Sequence, residues 1–363
     1  MEFDRMNKGQ GRKRRLLGLA ATTVVVALVA AGCSSGTTET STSPATSADT
    51  GGTASDGASI TFIPKNLNNP YTGVELKGGE EASAELGFTY QSVGALDAAA
   101  DSQVSFIQTE VQNGTDIIAI AANDPNAVCA SLNEGKAGGA AIITFDSDAA
   151  VECRDLFITQ VEEKEVALGQ LRQLFDQIGG DGDIAILSAT ATAPNQNAWI
   201  KLMREEIASN ADYNWNVVAE VYGDDEDTKS FQEAQGLLQS YPNLKGIISP
   251  TTVGIAATAR YLSTSEYKGK VALVGLGLPP QMKEYVKDGT VIAFALWDPS
   301  DIGYLTAYAG KALLDGTITG AEGDTFDAGK LGSYTVGVDG RVVVGSLLEF
   351  NADNIDDYDY ISF

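Results

Sequence analysis

The sequence predicts an α/β protein made of two doubly wound parallel-sheet lobes. Short apolar runs alternate with helical stretches at a spacing of about 25–30 residues. This alternation indicates right-handed β-α-β units, and it occurs in two successive series that are separated near residue 160. The chain has 363 residues, which is enough for two domains of ordinary size.

The first series extends from residue 60 to residue 145. Its apolar run DIIAIA is continuous, which is typical of a strand buried on both faces of a parallel sheet. Gly87 and Gly114 follow two of its helical stretches, at positions where helices commonly end. The predicted strands are 60–64, 89–93, 116–121 and 141–145, and the predicted helices are 70–86, 98–112 and 126–137.

The second series begins with a helix and then repeats the strand–helix alternation. Its predicted strands are 183–187, 216–221, 244–249, 270–275 and 291–296, and its helices are 162–178, 195–209, 228–240, 254–263 and 302–315. Open α/β sheets bind ligands at the carboxyl ends of their strands. The residues that follow each strand are therefore the candidates for a binding site.

Polar side chains follow the strands of both series. Most are Asn, Gln, Asp and Thr, aromatic residues lie between them, and Lys65 is the one basic residue in the set. Amides and carboxylates engage neighbouring hydroxyls, and aromatic faces pack on apolar C–H surfaces. The pattern predicts a site for a neutral polyol or sugar rather than a phosphate or sulfate. The same residue types also occur at strand ends simply because turns require them.

Composition excludes several other functions. The formal net charge of −25 argues against a nucleic-acid partner, which needs a basic surface. The chain has no histidine, which removes histidine–zinc sites and the histidine-dependent catalytic triads. Three cysteines are too few for a disulfide scaffold or a four-cysteine metal site. We expect no catalytic residue, no metal and no cofactor.

Residues 1–32 are typical of a secretion signal. Basic residues 12–15 precede an apolar run over 16–31, which ends in small residues before Cys33. This resembles a bacterial lipobox, in which Cys33 would be acylated. The alternative is an uncleaved membrane anchor, although a span needs about 20 residues. Residues 33–58 form a predicted disordered tether, since 22 of the 26 residues over 34–59 are Ser, Thr, Gly or Ala. The sequence thus predicts an exported protein on the outer face of the membrane.

Motifs along the chain resemble those of one family. They include IPKNLNNPY (63–71), AIAANDPNA (119–127), TFDSD (144–148), ILSATATAPNQNAWI (186–200), ISPTTVGIAA (248–257) and FALWDPSDIGY (294–304). Together they are similar to type I periplasmic-type sugar-binding proteins of ABC importers, specifically the rhamnose-binding branch and the related autoinducer-binding branch.

The resemblance implies a ligand cleft between two lobes joined by a hinge. It places the first lobe at 59–158 plus 297–330 and the second at 159–296 plus 331–363. It also implies a monomer that delivers a small-molecule sugar to an ABC permease in the membrane. The ligand-binding positions that it implies are Lys65, Asn69, Tyr71, Asn126, Asp146, Asn195, Gln196, Pro250, Thr252, Trp297 and Asp298.

Three positions distinguish the branches. The autoinducer binders resemble this chain at the Lys, Gln and Pro positions but carry Asp where Asn126 and Asn195 stand and Ala where Thr252 stands. The chain therefore resembles the rhamnose branch, and the expected ligand is rhamnose or a similar deoxy-hexose, with autoinducer or another monosaccharide as the alternative. Cys129 and Cys153 match cysteines of the autoinducer branch, which favours a disulfide over two buried free thiols.

Two other functions share these features. An exported sugar-acting enzyme could use paired carboxylates such as Asp146 and Asp148. A signal receptor that presents bound sugar to a sensor kinase would use the same pocket as a transport receptor.

Overall fold

A computed structural model describes residues 57–358 of the chain. The expected signal segment, the acylated Cys33 and almost all of the tether lie outside the described residues, as do residues 359–363. Among residues 57–358, no helix combines the length and the apolar character that a membrane span requires.

The described residues form nine α-helices and fourteen strands. The helices α1 to α9 are Pro70–Leu86, Val104–Asn113, Cys129–Gly138, Glu163–Ile178, Pro194–Ser209, Asp227–Ser240, Thr252–Thr264, Pro279–Lys287 and Pro299–Leu314. The strands β1 to β14 are Ser59–Ile63, Thr89–Ser92, Ile117–Ile120, Ala141–Phe145, Leu156–Thr159, Asp181–Ser188, Asn214–Tyr222, Leu244–Ser249, Ala272–Gly275, Ala293–Leu296, Thr325–Asp327, Ser333–Thr335, Arg341–Val343 and Leu348–Asn351.

Two parallel sheets form the two lobes, as the sequence predicts. The first sheet has the order β13-β5-β4-β3-β1-β2, and all of its pairs are parallel. The second has the parallel order β7-β6-β8-β9. A bridge from Leu276 to Ala295 connects β9 to β10, and β14 pairs antiparallel with β10. In both lobes the chain order reverses beside a central strand, which brings the carboxyl ends of several strands to one crevice.

The predicted lobe boundary at residue 331 is wrong for one strand. Residues 331–363 were assigned to the second lobe, but β13 pairs with β5 in the first sheet. The Val344 amide extends this pairing by donating to Thr159 O at 2.9 Å. The chain therefore returns to the second lobe between β13 and β14. A run of three paired residues is too short to carry a periodicity signal, so its partner depends on tertiary packing.

Most predicted elements agree with the structure to within three residues. Strands β5 and β11 to β14 and helix α8 were missed, and α2 and α3 begin later than predicted. Residues before α2 depart from a helix because Gln103 turns inward, where its side-chain amide donates to Pro64 O at 2.9 Å and to Ala121 O at 2.7 Å. Helix α8 starts at two consecutive prolines, and proline suits the first helical position.

Two glycines let helices α1 and α9 pack backbone to backbone. A Cβ at Gly303 would lie 1.9 Å from Glu75 O, and one at Gly78 would lie 1.9 Å from Ser300 O. No other residue fits such contacts without displacing a helix. The packing fixes α1, which starts beside the crevice, relative to the crossover that leads into α9.

Cys129 and Cys153 are joined by a disulfide with a Cα–Cα distance of 5.2 Å. It links the start of α3 to the turn that follows β4. The adjacent Arg154 is buried, and its guanidinium donates to both carboxylate oxygens of Asp148 at 2.6 and 2.8 Å. These contacts hold the segment after β4 rigidly at the edge of the crevice.

Candidate functional site

A cavity lies between the two sheets at the carboxyl ends of their strands. The empty space between its walls, including the part open to solvent, is about 440 Å³. Its walls are Lys65, Asn69, Tyr71, Thr72, Glu75, Asp146, Asn195, Gln196, Trp199, Asp225, Pro250, Thr251, Thr252, Leu276, Leu296 and Trp297. A recess that combines many polar groups with aromatic and aliphatic side chains suits a small polar organic ligand.

The first lobe contributes Lys65 after β1 and Asp146 after β4. Asn69 precedes α1, and its side-chain oxygen accepts from the Tyr71 amide at 3.0 Å, which caps the helix. Asp146 has a left-handed backbone with φ 57°, which aspartate adopts more readily than most residues. Gln160 fixes it by donating to its Oδ1 at 2.6 Å and to its carbonyl oxygen at 2.8 Å.

Three of the cavity side chains form a continuous hydrogen-bond chain. Trp297 Nε1 donates to the Tyr71 hydroxyl at 2.7 Å, and that hydroxyl donates to Asp146 Oδ1 at 3.0 Å. Each member has its orientation fixed by the next, so the Asp146 carboxylate presents its other oxygen in a defined direction.

The second lobe contributes residues from the first turns of α5 and α7. Gln196 Oε1 accepts from the Ala189 amide at 3.2 Å, which leaves its side-chain NH₂ group at the cavity wall. Pro250 and Thr252 stand between β8 and α7, and Asp225 follows β7. The Asp225 carboxylate accepts from the Thr251 hydroxyl at 2.5 Å.

Hydrogen bonds connect the two lobes across the cavity. Lys65 Nζ donates to Asn195 Oδ1 at 2.9 Å, and Asn195 Nδ2 lies 3.3 Å from Asp146 Oδ2. The Thr252 hydroxyl lies 3.4 Å from Asn69 Oδ1. The lobes are therefore closed on each other, with amide and hydroxyl groups of the second lobe touching charged and polar groups of the first.

One wall of the cavity is apolar. Trp199, Trp297, Leu276 and Leu296 are all buried, and the two indole rings meet edge to face at 5.9 Å between centroids. Trp297 also meets the Tyr71 ring edge to face at 6.3 Å. Aromatic and aliphatic surfaces of this kind pack against the C–H groups of a ligand.

Burial dominates the electrostatics of the cavity. It raises the pKa of Glu75 and of Asp146 above the ordinary range. Repulsion by the Asp146 carboxylate raises the pKa of Glu75 further, while the Lys65 ammonium group opposes the shift of both acids. Burial also raises the pKa of Asp225, again opposed by Lys65, and raises that of the Tyr71 hydroxyl. Three acids thus share one nearby cation, which favours proton retention by part of the group.

The structure brings nine of the eleven residues predicted from the sequence together around this cavity, but not Asn126 or Asp298. Asn126 is exposed, and its amide donates to Asp124 Oδ1 at 2.8 Å in a turn before α3. Asp298 caps α9, accepting from the Ser300 amide at 2.9 Å. Neither residue lines the cavity: Asn126 contributes its backbone amide to a turn, and the Asp298 side chain caps α9. The Asn126 difference from the autoinducer branch does not touch the cavity.

Seven lining residues were missed by the sequence analysis. Glu75 and Trp199 each lie four residues after a predicted site residue on the same helix, Tyr71 and Asn195 respectively, so helical spacing would have found them. Asp225 lies three residues beyond the end of β7, so its place after a strand was the available signal. The remaining four are Thr72, Thr251, Leu276 and Leu296.

The described part of the chain shows no metal centre. Between residues 57 and 358 there is no group of three or more His, Cys, Asp or Glu side chains that could hold an ion. Two of the cavity acids are instead bound by neutral side chains: Asp146 accepts from Tyr71 and Gln160, and Asp225 accepts from Thr251.

Known proteins share this fold and sequence. The family model described as "Periplasmic binding protein domain" matches residues 60–318. The ribose import binding protein RbsB of Bacillus subtilis is 25% identical over 259 residues, which cover 69% of this chain and 79% of that protein. A sugar ABC transporter structure from Actinomyces odontolyticus is 62% identical, with a TM-score of 0.68, and the match covers 83% of this chain and 97% of that one.

A third match carries a ligand. An ABC transporter solute-binding protein from Clostridium phytofermentas, with bound L-rhamnose, is 34% identical with a TM-score of 0.81, and the match covers 84% of this chain and 99% of that one. With a family model that matches most of the folded chain and relatives that are sugar-binding transport proteins, the chain belongs to the periplasmic binding protein family and is a sugar-binding, extracytoplasmic solute-binding protein of an ABC transporter.

Proposed function

We propose that the protein is a lipid-anchored receptor that binds rhamnose or a similar deoxy-hexose between its lobes and delivers it to a membrane permease. The observation that carries the choice of sugar is the mixed lining of the cavity. Amides, hydroxyls and acids line it together with the apolar surfaces of Trp199, Leu276, Leu296 and Trp297. A deoxy-hexose offers hydroxyls to the polar groups and a methyl group to the apolar surfaces.

The rhamnose-bound relative supports this choice. At 34% identity it shares both the family and nearly the full length of the folded region. A ribose-like ligand has no methyl group to occupy the apolar wall, and filling that wall with a methyl group removes apolar surface from water.

Binding proceeds by hinge closure. The cross-lobe bonds from Lys65 to Asn195 and from Thr252 to Asn69 exist only when the lobes meet. Comparison with two solved structures supports mobile lobes. The Actinomyces chain is more similar to this protein in sequence than the rhamnose-bound chain is, yet its TM-score is lower, 0.68 against 0.81. Sequences that are 62% identical fold into closely similar lobes, so a lower score fits a different lobe arrangement. A ligand that prefers the closed form shifts the population toward it.

The remaining parts of the proposal concern the anchor and the partner. Acylation of Cys33 would hold the protein at the outer face of the membrane as a monomer, and the tether would let it reach the permease. The exported-enzyme alternative is weaker, because Asp148 is bound by Arg154 and does not line the cavity, so Asp146 lacks its proposed partner.

Calorimetric titration of residues 58–363 tests the proposal, with L-rhamnose, ribose, glucose and an autoinducer preparation compared side by side. We expect a dissociation constant of about 1 µM or below for rhamnose alone, equivalent to about −8 kcal/mol. Preferential binding of ribose or of the autoinducer would overturn the choice of sugar. Failure to bind any of them would overturn the sugar-receptor assignment for this cavity.

A further inference from the structure

Glu75 is a buried acid in the cavity with an oxygen that lacks a partner. It lies on α1 one turn after Tyr71, and only 2% of its surface is exposed. Its Oε1 atom accepts no hydrogen bond. Three further buried side-chain atoms in residues 57–358 share this state, on Gln170, Gln173 and Ser230, but none of those residues lines the cavity. Glu75 therefore combines an unsatisfied oxygen with a position at the ligand site.

Helix packing holds the backbone of Glu75 in place. The close contact of α1 with α9 holds its backbone, since Gly303 packs directly against Glu75 O. An unpaired buried polar group destabilises the closed state. A ligand group within reach of Oε1 would remove that cost.

We propose that Glu75 is a specificity-determining residue that hydrogen-bonds a hydroxyl group of the bound sugar. The inference rests on the proposed function, because it requires a sugar in this cavity. Glu75 acts as a neutral carboxylic acid, which can both donate to and accept from a hydroxyl. Burial and, after it, the nearby Asp146 raise its pKa well above the ordinary range, against the opposing effects of Lys65 and Tyr71, and this supports the neutral form.

The proposal predicts what the ligand must present. It must carry a hydroxyl toward Glu75 and an apolar group toward Leu276 and Leu296. A sugar that lacks the first hydroxyl would leave Glu75 unpaired and would bind more weakly, since rejection by an unsatisfied polar group is strong.

Two substitutions test the role of the neutral acid. Glu75→Gln keeps the shape and offers an amide in place of the acid, so rhamnose affinity should stay within about threefold. Glu75→Leu removes the hydrogen bond and should weaken rhamnose binding by about tenfold. Glu110→Gln is the matched control: Glu110 is a buried acid of the same lobe that lies outside the cavity, where its Oε2 accepts from Thr61 and Thr115. It should leave affinity unchanged.

Monodeoxy analogues of rhamnose give a second readout. For the analogue that lacks the contacted hydroxyl, the native protein should lose affinity by about tenfold while the Leu variant should show almost no further loss. Thermal denaturation checks that each variant folds, and Glu75→Ala replaces the Leu variant if it does not.

The outcomes separate this inference from the proposed function. If the native protein binds rhamnose and the Leu variant binds it equally well, Glu75 does not contact the ligand and the inference is wrong while the proposed function stands. If the Gln variant is as weak as the Leu variant, Glu75 acts as an anion and the neutral-acid role is wrong. If the native protein binds no neutral sugar, the proposed function fails, and the inference fails with it.

Discussion

Replacing Asn195 by alanine should weaken sugar binding while leaving the lobes stable. Asn195 lies in the first turn of α5, in the second lobe, and its side chain reaches two groups of the first lobe. Its Oδ1 accepts from Lys65 Nζ at 2.9 Å, and its Nδ2 lies 3.3 Å from Asp146 Oδ2. Both contacts require the closed arrangement, so they contribute to closure and not to the folding of either lobe.

The size of the effect follows from these two bonds. A hydrogen bond from a charged ammonium group contributes about 1.5 kcal/mol, and the longer bond to Asp146 about 0.5 kcal/mol. The loss of about 2 kcal/mol from the closed state corresponds to a dissociation constant about 30 times higher. Loss of a direct contact to the ligand would add to this value.

Calorimetric titration with L-rhamnose measures the change, and thermal denaturation without ligand measures stability. Asn197→Ala is the matched control, because Asn197 lies on the same helix, bonds to Ala191 O at 2.9 Å and does not line the cavity. If Asn195→Ala binds rhamnose within about twofold of the native protein, or no more weakly than Asn197→Ala, the cross-lobe bonds do not govern affinity and the reasoning is refuted.

Three further results follow from the same structure. Trp297→Phe should reduce the ligand-induced change in tryptophan fluorescence, while Trp215→Phe should preserve it, because Trp215 lies outside the cavity with its Nε1 bonded to Gly179 O at 2.9 Å. A fluorescence change that is lost in the Trp215 variant and kept in the Trp297 variant would exclude Trp297 from the site. Joint replacement of Cys129 and Cys153 by serine should lower the free energy of unfolding by about 3 kcal/mol in a denaturant titration with unchanged sugar affinity, since 24 residues separate the two cysteines; unaltered unfolding would contradict this. Glu75→Gln should raise the melting temperature near neutral pH, because burial raises the pKa of Glu75 well above its ordinary range and the native folded state therefore holds more protons than the unfolded chain and loses stability as pH rises. Melting temperatures of the variant that equal those of the native protein at both pH 5 and pH 8 would refute the shift.

The architecture could be predicted from the sequence because it depends on local and repeated signals. Continuous apolar runs such as 116–121 indicate buried parallel strands, and turn residues after them indicate the carboxyl ends. The two-lobe arrangement follows from the repetition of those units. Strand β13 could not be assigned in the same way, because a three-residue valine-rich run pairs wherever the tertiary structure leaves an open strand edge.

The candidate site was predictable where its residues directly follow strands, and less so on helices. Lys65 and Asp146 stand in such positions and line the cavity. Glu75 does not: it lies six residues into α1, where only its spacing of four residues from Tyr71 points to the cavity. Asn126 shows the opposite case, since a polar residue after a strand can belong to the turn that leads into the next helix.

Glu75 also bears on the balance between open and closed forms. In the closed form without ligand, Lys65 gains its bond to Asn195, which favours closure, while Glu75 Oε1 remains buried without a partner, which opposes it. These two contributions are each of the order of 1–3 kcal/mol and of opposite sign, so the unpaired acid offsets part of the gain from the cross-lobe bond. A sugar hydroxyl at Glu75 removes the opposing contribution and leaves the favourable one. Under the proposed role, the unsatisfied acid disfavours the closed form when no sugar is bound. A sugar that places a hydroxyl at Glu75 then shifts the equilibrium toward the closed form.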